Sequence, residues 1–357
     1  MTNHDLKPVR GRSVWHGRDL EADRSFEFGL EPADVRELED ALAKAKAQGL
    51  AYADLTADNF RLPGLGATMR RIVSELRDGR GFALMHGFPV DGHDLADLDM
   101  LYFGLCAQLG QPLTQNSDAT LIHYVTDGAL RPNQGTRGVG LPKESRLHVD
   151  LTDVVSLFCV RQAPDSPHSR VGSAGQIYNT MLERAPEALE RLMAGFHWSR
   201  MGEQLDWEAP CSEYLVPLFS PAAGRLSCRY NRNWIESAAT NGESLVTAEE
   251  REIFDLIDEI GHEARFEFPF EKGDIQFCNN LTVLHGRAAH APIESEAEKR
   301  LLLRIWLDLP DFRDTTDPAV VRYGIGRHGL IGFTPEEMAA GLHRQPRPRR
   351  ADGAIRL

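Results

Sequence analysis

Residues 273–309 read GDIQFCNNLTVLHGRAAHAPIESEAEKRLLLRIWLDL and decide the fold. They contain three short apolar runs, and segments rich in Asn, Pro or charged residues separate these runs. Apolar runs of this length between turn-forming residues predict β-strands. Further runs of the same kind predict strands upstream: GFALMHGFPV, LIHYV, LHVDL, VVSLFCV, SAGQIYN, EYLVPLF, GRLSCRY and ARFEFPF. Many short strands with Gly and Pro between them are typical of a sandwich or barrel.

Helical periodicity marks other parts of the chain. Thr247 has the position of an N-cap, and acidic residues follow it in the first turn of its segment. Residues 115–144 are rich in Gly, Asn, Thr and Pro and show no period, so we expect a long irregular loop there, and such loops are often functional. The segments predicted as helices are 30–48, 67–78, 94–109, 180–195 and 247–262.

The composition excludes some classes of partner. The formal net charge is −13, which disfavours nucleic acid and anionic membrane surfaces because both attract basic proteins. A small anionic substrate needs only one or two local arginines. The five cysteines are far apart and odd in number, so we expect free thiols in a reducing cytoplasm. The sequence shows no apolar leader and no transmembrane run, and no feature decides whether the chain forms a homo-oligomer.

Three residues in strand-like settings have the composition of a metal site. His148 and Asp150 lie two apart within LHVDL, and residues two apart on a strand face the same side. His285 lies in TVLHGRA. Two histidines and one carboxylate form the facial triad of non-haem Fe(II) oxygenases, which leaves coordination positions open. Arg300, fifteen residues after His285, offers a guanidinium that can bind a carboxylate through two hydrogen bonds.

The segments around these residues resemble one enzyme family. GDIQFCNNLTVLHGRAAH, with EKRLLLRIWLDLPD after it and LHVDLTDVVSLFCVRQA before it, is similar to the TauD/TfdA-like, clavaminate-synthase-like dioxygenases that depend on Fe(II) and 2-oxoglutarate. The resemblance covers about residues 70–312. It implies a mainly β fold with α-helices, a double-stranded β-helix (jelly roll) core with N-terminal helices and helical insertions. It also implies that the chain uses O2 to oxidise a small-molecule substrate.

The resemblance assigns roles to the residues that match the family's motifs. His148, Asp150 and His285 match its iron ligands, and Arg300 matches the arginine that binds the 5-carboxylate of 2-oxoglutarate. Arg304 matches a second arginine, which contacts substrate or helps to hold the cosubstrate.

Further positions match the family less fully. Ser169 is the best match for a hydroxyl that contacts the cosubstrate, although Pro167-His168 replaces the usual Gly-Gly before it. Asn116 lies in a loop that the family places near the substrate entrance. Arg229, in CRYNRNW, is either a substrate contact or part of a polar loop after a strand.

We therefore expect one catalytic domain over residues 1–357, with its core at about 70–312, an N-terminal helical region at about 30–70 and a loosely ordered tail at about 313–357. The expected reaction is oxidation of an unactivated C–H of a small polar substrate, such as an amino acid or another carboxylate. Hydroxylation is the first expectation, and desaturation or ring closure would use the same residues. A metal-dependent hydrolase using the same three side chains is one alternative, but it leaves Arg300 unexplained. A jelly-roll binding protein without catalysis is another, and the complete triad disfavours it.

Overall fold

The computed structural model of the protein describes residues 6–128, 140–222, 225–309, 312 and 327–345. The strands in these ranges are β1 (Glu27–Gly29), β2 (Phe82–His86), β3 (Gln111–Leu113), β4 (His123–Val125), β5 (Ser145–His148), β6 (Val154–Arg161), β7 (Ser169–Ser173), β8 (Phe219–Ala222), β9 (Arg225–Cys228), β10 (Phe266–Phe268), β11 (Ile275–Asn279), β12 (Val283–Arg287) and β13 (Leu301–Asp308). The α-helices are α1 (Gly17–Ala22), α2 (Pro32–Ala47), α3 (Gly66–Asp78), α4 (Leu95–Cys106), α5 (Ala174–Arg184), α6 (Pro186–Ala194), α7 (Arg232–Thr240), α8 (Ala248–Ala264) and α9 (Pro335–Ala339).

Two sheets form the β core of the described residues. The larger sheet has the order β1-β2-β11-β6-β13-β3, and β4 also pairs with β13, beyond the end of β3. The smaller sheet has the order β10-β7-β12-β5. Neighbouring strands are antiparallel in both sheets except for β1 and β2, which are parallel. β8 and β9 form a separate two-stranded ladder.

The larger sheet is buried on both faces. Along β13, Leu302 and Trp306 belong to an apolar cluster that also contains Val171 and Val283 of the smaller sheet. Leu303 and Ile305, which alternate with them, belong to a second cluster with side chains of α2, α3 and α4. Successive side chains of a strand point to opposite faces, so the first cluster fills the space between the sheets. Helices cover the outer face of the larger sheet, which confirms the expected mainly β fold with N-terminal helices.

The predicted helices with clear caps or stop signals are confirmed. The bounds of α2, α3, α4 and α8 lie within three residues of the predicted ones. Thr247 caps α8 as expected, because its hydroxyl accepts from the Glu250 amide and the Glu250 carboxylate accepts from the Thr247 amide. The expected strand around LIHYV is β4.

Two predictions near the middle of the chain are wrong. SAGQIYN was expected to be a strand, but Ser173 ends β7 and its hydroxyl caps α5. The buried side chains of Ile177, Tyr178 and Met181 then follow helical rather than strand spacing. The helix expected from Thr180 is divided between α5 and α6, and Ala185 separates them. Ala185 precedes Pro186, and a proline disfavours helical geometry in the residue before it.

Two further segments differ from expectation. Of EYLVPLF only Phe219 lies in a regular strand, and Val216 forms an isolated bridge with Phe196. The segment after CRY is not a loop, since α7 begins at Arg232. Residues 129–139 of the long loop and most of the predicted C-terminal tail lie outside the described residues, so the predictions for these two segments stay predictions. None of the helices in the described ranges is long and apolar enough to cross a membrane.

A buried carboxyl on α4 makes the stability of the fold depend on pH. One oxygen of Asp99 accepts from the Tyr124 hydroxyl at 2.8 Å, and the other is buried without a partner. Burial raises the pKa of Asp99 from 3.8 to about 6. A folded-state pKa above the unfolded value means that the native state binds the extra proton, so stability is lost as the pH rises from about 4 to about 6.

We expect Asp99→Asn to remove this loss. The free energy of unfolding of the variant should rise relative to wild type between pH 4 and pH 7, by up to about 3 kcal/mol. Urea unfolding at a series of pH values measures the difference. Asp40→Asn, an exposed change on α2, is the control and should give a constant offset. A constant offset for Asp99→Asn as well would contradict the assignment.

Candidate metal centre and its buried arginines

Two histidines of the smaller sheet lie side by side. His148 is the last residue of β5, and it pairs in register with His285 of β12. Directly paired residues of antiparallel strands point to the same face. The two ring centroids are accordingly 4.5 Å apart, with an angle of 45° between the ring planes. The pairing of β5 with β12 therefore brings together two residues that are far apart in sequence.

Asp150 reaches the same place from a loop. The expectation that His148 and Asp150 share a strand is wrong, because β5 ends at His148. Hydrogen bonds to the main chain hold the loop instead. The Asp150 amide donates to Asn280 Oδ1 at 3.0 Å, and its carbonyl accepts from Arg229 Nη1 at 3.2 Å.

Two residues of β13 hold the Asp150 carboxylate itself. Its Oδ2 accepts from Trp306 Nε1 at 2.9 Å and from Arg304 Nη1 at 3.2 Å. Arg304 and Trp306 are two apart on one strand, so they point to the same face. The larger sheet thus positions a carboxylate opposite the histidines of the smaller sheet.

The three side chains converge without bonding to one another. His148 Nε2 is 3.9 Å from Asp150 Oδ1, and His285 Nε2 is 3.9 Å from Asp150 Oδ2. The ligand atoms of all three residues lie within 4.8 Å of one another. The two 3.9 Å separations exceed a hydrogen bond of about 2.7–3.2 Å, but they are within twice a coordination bond of about 2.0–2.2 Å. The three donors therefore fit one metal ion, and they form the one such group among the described residues.

The protonation states of the group also suit a metal. His148 Nδ1 lies 2.8 Å from the Arg146 carbonyl and donates to it, which leaves Nε2 with its lone pair. Burial lowers the pKa of His285 to about 3, so its imidazole is neutral at pH 7. Burial opposes ionisation of Asp150, but the charge of Arg304 is the largest of the effects that hold the pKa of Asp150 below its usual value. A neutral His285 imidazole and an ionised Asp150 carboxylate are the forms that bind a metal ion.

Arg300 is a buried cation at the start of β13. It immediately precedes β13, it is 3% exposed, and its Nε donates to Gln162 Oε1 at 2.7 Å. Within the described ranges no carboxylate lies at ion-pair distance from it. Burial, and next the charge of Arg287, lower the pKa of Arg300 to about 9. A buried charge is costly unless it is paired, so this position fits the carboxylate of a ligand.

Ser169 lies on the inner face of the smaller sheet. It pairs in register with Arg287, two residues after His285 on β12, and both side chains are buried. Arg287 Nη2 donates to the carbonyls of Leu141 and Lys143. Ser169 therefore faces the same interior as His285, while its contact with a cosubstrate stays a prediction.

The residues predicted to contact substrate are bound to the protein itself. Arg304 holds Asp150, and its Nε also donates to Gln115 Oε1 at 2.9 Å. Arg229 donates to the carbonyls of Asp150 and Thr152. Asn116 Oδ1 accepts from two amides within its own loop, those of Asp118 and Thr120.

The geometry therefore places Arg304 and Arg229 in support of the aspartate, and their contact with substrate stays a prediction. Sequence reasoning missed two of the residues that hold Asp150. These residues are Asn280 and Trp306. The position of Trp306, two residues beyond Arg304 on an apolar run, was the available signal for it.

Comparisons with known proteins agree with the metal site that the geometry indicates. Residues 44–306 match the model of the family described as taurine catabolism dioxygenase TauD, TfdA family. A protein of Streptomyces rubellomurinus called FR-33289 synthase is 30% identical over 330 residues, which are 89% of this chain and 96% of the relative. The taurine hydroxylase-like protein SAT17 of Stachybotrys chartarum is 25% identical over 304 residues, which are 82% of this chain and 77% of the relative.

Solved structures share the fold. The non-heme iron oxygenase OrfP in complex with Fe has a TM-score of 0.59 at 17% identity, and the match covers 86% of this chain and 99% of OrfP. An asparagine oxygenase in complex with Fe(II), 2S,3S-3-hydroxyasparagine and succinate has a TM-score of 0.60 at 15% identity and covers 79% of this chain and 93% of its own. OrfP has also been solved with Fe and α-ketoglutaric acid, at a TM-score of 0.59.

Removing either histidine should remove metal binding. We expect His148→Ala and His285→Ala to weaken Fe(II) binding by more than about 100-fold, since changes outside the ligand set alone cost about 10- to 100-fold. Anaerobic calorimetry with Fe(II) measures the affinity, and circular dichroism checks that the variants are folded. His168→Ala, half-exposed before β7, should bind as wild type does. Wild-type affinity in either of the first two variants would exclude that residue as a ligand.

Proposed function

The chain belongs to the TauD/TfdA family, and it is an Fe(II)- and 2-oxoglutarate-dependent dioxygenase. From this premise we propose that it hydroxylates an unactivated C–H bond of a small polar substrate, such as an amino acid or another carboxylate. The observations that support the proposal most are the convergence of His148, Asp150 and His285 and the burial of Arg300, which has no carboxylate at ion-pair distance within the described residues. Each side chain then has a role in the reaction.

His148, Asp150 and His285 would hold the iron. When bound, Fe(II) with 2-oxoglutarate and O2 supplies the oxidising power that inserts oxygen into a C–H bond. The two neutral imidazoles and the carboxylate leave the bound metal with a single positive charge and with positions free for ligands. The bonds from Trp306 and Arg304 fix the orientation of the Asp150 carboxylate, so the ligand set needs no rearrangement when metal binds.

Arg300 would bind the 5-carboxylate of 2-oxoglutarate. Its guanidinium is aligned by Gln162 Oε1, which leaves its other N–H groups for a carboxylate. Ser169, on the inner face of β7, is our proposal for a hydroxyl that donates to the same cosubstrate. The surrounding apolar cluster excludes water, which strengthens each charged contact.

The proposed substrate class rests on two considerations. OrfP has been solved with L-Arg, and the asparagine oxygenase with a hydroxylated asparagine, so proteins of this fold act on amino acids. Arg304 and Arg229 both lie beside Asp150, and their positive charge suits a substrate that carries an acid group. A zinc hydrolase on the same triad would leave Arg300 without a function, and a non-catalytic binding protein would not need three converging metal donors.

Arg300→Gln tests the assignment of the cosubstrate. Loss of a charge-assisted contact costs about 1.5–3 kcal/mol, so the KM for 2-oxoglutarate should rise by about 10- to 150-fold. The measurement is Fe(II)-dependent release of succinate, first screened over amino acids and other carboxylates to find a substrate. Arg161→Gln, which changes an arginine bonded to the Lys299 carbonyl beside the same end of β13, is the matched control. An unchanged KM in Arg300→Gln would move the role to another residue.

Asp150 also predicts which products do not form. In this chemistry a halide needs a coordination site that becomes free only when the protein carboxylate is absent. Because the Asp150 carboxylate is fixed beside both histidines, we expect hydroxylated, desaturated or cyclised products and no halogenated ones. Mass spectrometry of turnover in high chloride or bromide measures this. A halogenated product from the unmodified protein would refute the role of Asp150.

A further inference from the structure

The strand that carries His148 has little support from its own sheet. β5 has four residues, and none of them is buried. It lies at the end of the order β10-β7-β12-β5, so within the described part of the chain it pairs with β12 alone. A short edge strand with few buried contacts opens easily. A metal ligand must keep a fixed position, so contacts outside the strand ladder are needed to hold β5.

β5 contains a bulge between Ser145 and His148. These two residues are three apart in sequence, whereas their partners on β12 are two apart, so two residues of β5 lie opposite Gly286 alone. A Cβ atom on Gly286 would lie 2.5 Å from the Ser145 carbonyl oxygen, so the two main chains approach as closely as only glycine allows. Within the bulge, the Arg146 carbonyl accepts from His148 Nδ1 at 2.8 Å. The bulge therefore sets the direction of the His148 ring.

Arg287, the last residue of β12, holds the segment that leads into this bulge. Its Nη2 donates to the Leu141 carbonyl at 2.7 Å and to the Lys143 carbonyl at 2.9 Å. The carbonyl between them, that of Pro142, accepts from the His290 amide at 2.9 Å. Three successive carbonyls before β5 are thus bound by the end of β12 and the residues that follow it.

The guanidinium of Arg287 suits this role better than an ammonium group would. The residue is 7% exposed, and its Nη1 donates to a further carbonyl, that of Ala288. Among the described residues no carboxylate lies at ion-pair distance from it. A guanidinium presents its donors in a rigid planar fork, so it can bind several carbonyls at once, and bonds from a charged donor are stronger than neutral ones.

We propose that Arg287 is a positioning residue for the iron ligand His148. Its guanidinium anchors residues 141–143, and this anchor keeps the β5 bulge, and with it the imidazole, in the orientation that binds Fe(II). The effect passes through the main chain, so it requires no contact between Arg287 and the metal. This inference rests on the proposed function, because it takes the triad as the iron site.

The test is the affinity for Fe(II) alone, measured by anaerobic calorimetry on the full chain. Arg287→Met should weaken binding by about 10- to 100-fold, as loss of residues that orient a metal ligand does. Arg287→Lys keeps the charge but loses the fork, so its affinity should be intermediate. Loss of a positive charge by itself would strengthen the binding of a cation, so weaker binding identifies a loss of position. Hydrogen exchange of the amides at 145–148 should become faster, while β7 and β10 exchange as in wild type.

Two further variants approach the same bulge independently. Gly286→Ala leaves Arg287 in place but forces the Ser145 carbonyl away, and it should also weaken Fe(II) binding. Arg287→Ala should regain part of its affinity when millimolar guanidinium is added, whereas sodium chloride at the same concentration should have no such effect. Arg265→Met is the control, since this arginine beside β10 bonds Glu267 rather than the segment before β5, and it should bind Fe(II) as wild type does.

Unchanged or tighter Fe(II) binding in Arg287→Met would overturn the proposal. Faster exchange throughout the smaller sheet would also overturn it, because the loss of affinity would then reflect general unfolding. If Arg287→Met does not fold, wild-type affinity in both Arg287→Lys and Gly286→Ala has the same meaning. A wild-type protein that does not bind Fe(II) would contradict the proposed function and this inference with it, whereas Fe(II) binding that is insensitive to Arg287 would contradict the inference alone.

Discussion

The buried ion pair between Asp150 and Arg304 is the interaction on which the arrangement of the site depends. Asp150 follows the last strand residue of β5 in the smaller sheet, and Arg304 lies on β13 in the larger one, with 3.2 Å between Nη1 and Oδ2. Both side chains are more than nine-tenths buried. Removing one partner of such a pair typically costs about 3–5 kcal/mol, because the other charge stays buried. The pair therefore fixes how the two sheets present their ligands to each other.

Buried charges at the site favour the binding of a metal cation and an anionic cosubstrate. Arg300 has a positive neighbour in Arg287 and no carboxylate at ion-pair distance in the described ranges. Asp150 is held ionised although it is buried. Such groups are stabilised when a metal cation and an anionic cosubstrate bind, so part of the binding energy of these ligands offsets the cost of burial. The fold is consequently expected to be more stable in the loaded state than without ligands.

The sequence predicted which residues form the site better than it predicted how the fold positions them. The identities of His148, Asp150, His285 and Arg300 followed from residue types and a family resemblance, and the strands around both histidines followed from short apolar runs. The loop position of Asp150 did not follow, because the end of β5 depends on which residues of β12 it pairs with. Arg229 and Asn280 hold this loop through main-chain bonds, and no spacing in the sequence encodes such long-range contacts. SAGQIYN was assigned wrongly because a short apolar run fits a strand or a buried helix equally well.

The central claim is that one site binds Fe(II) and 2-oxoglutarate together, through the triad and Arg300. Anaerobic visible absorption tests it most directly, since a 2-oxoglutarate that chelates Fe(II) gives a weak charge-transfer band. The account predicts that the band appears only when both Fe(II) and 2-oxoglutarate are present, and that it saturates at one equivalent of metal. A protein that binds Fe(II) and stays without this band at saturating 2-oxoglutarate would contradict the account.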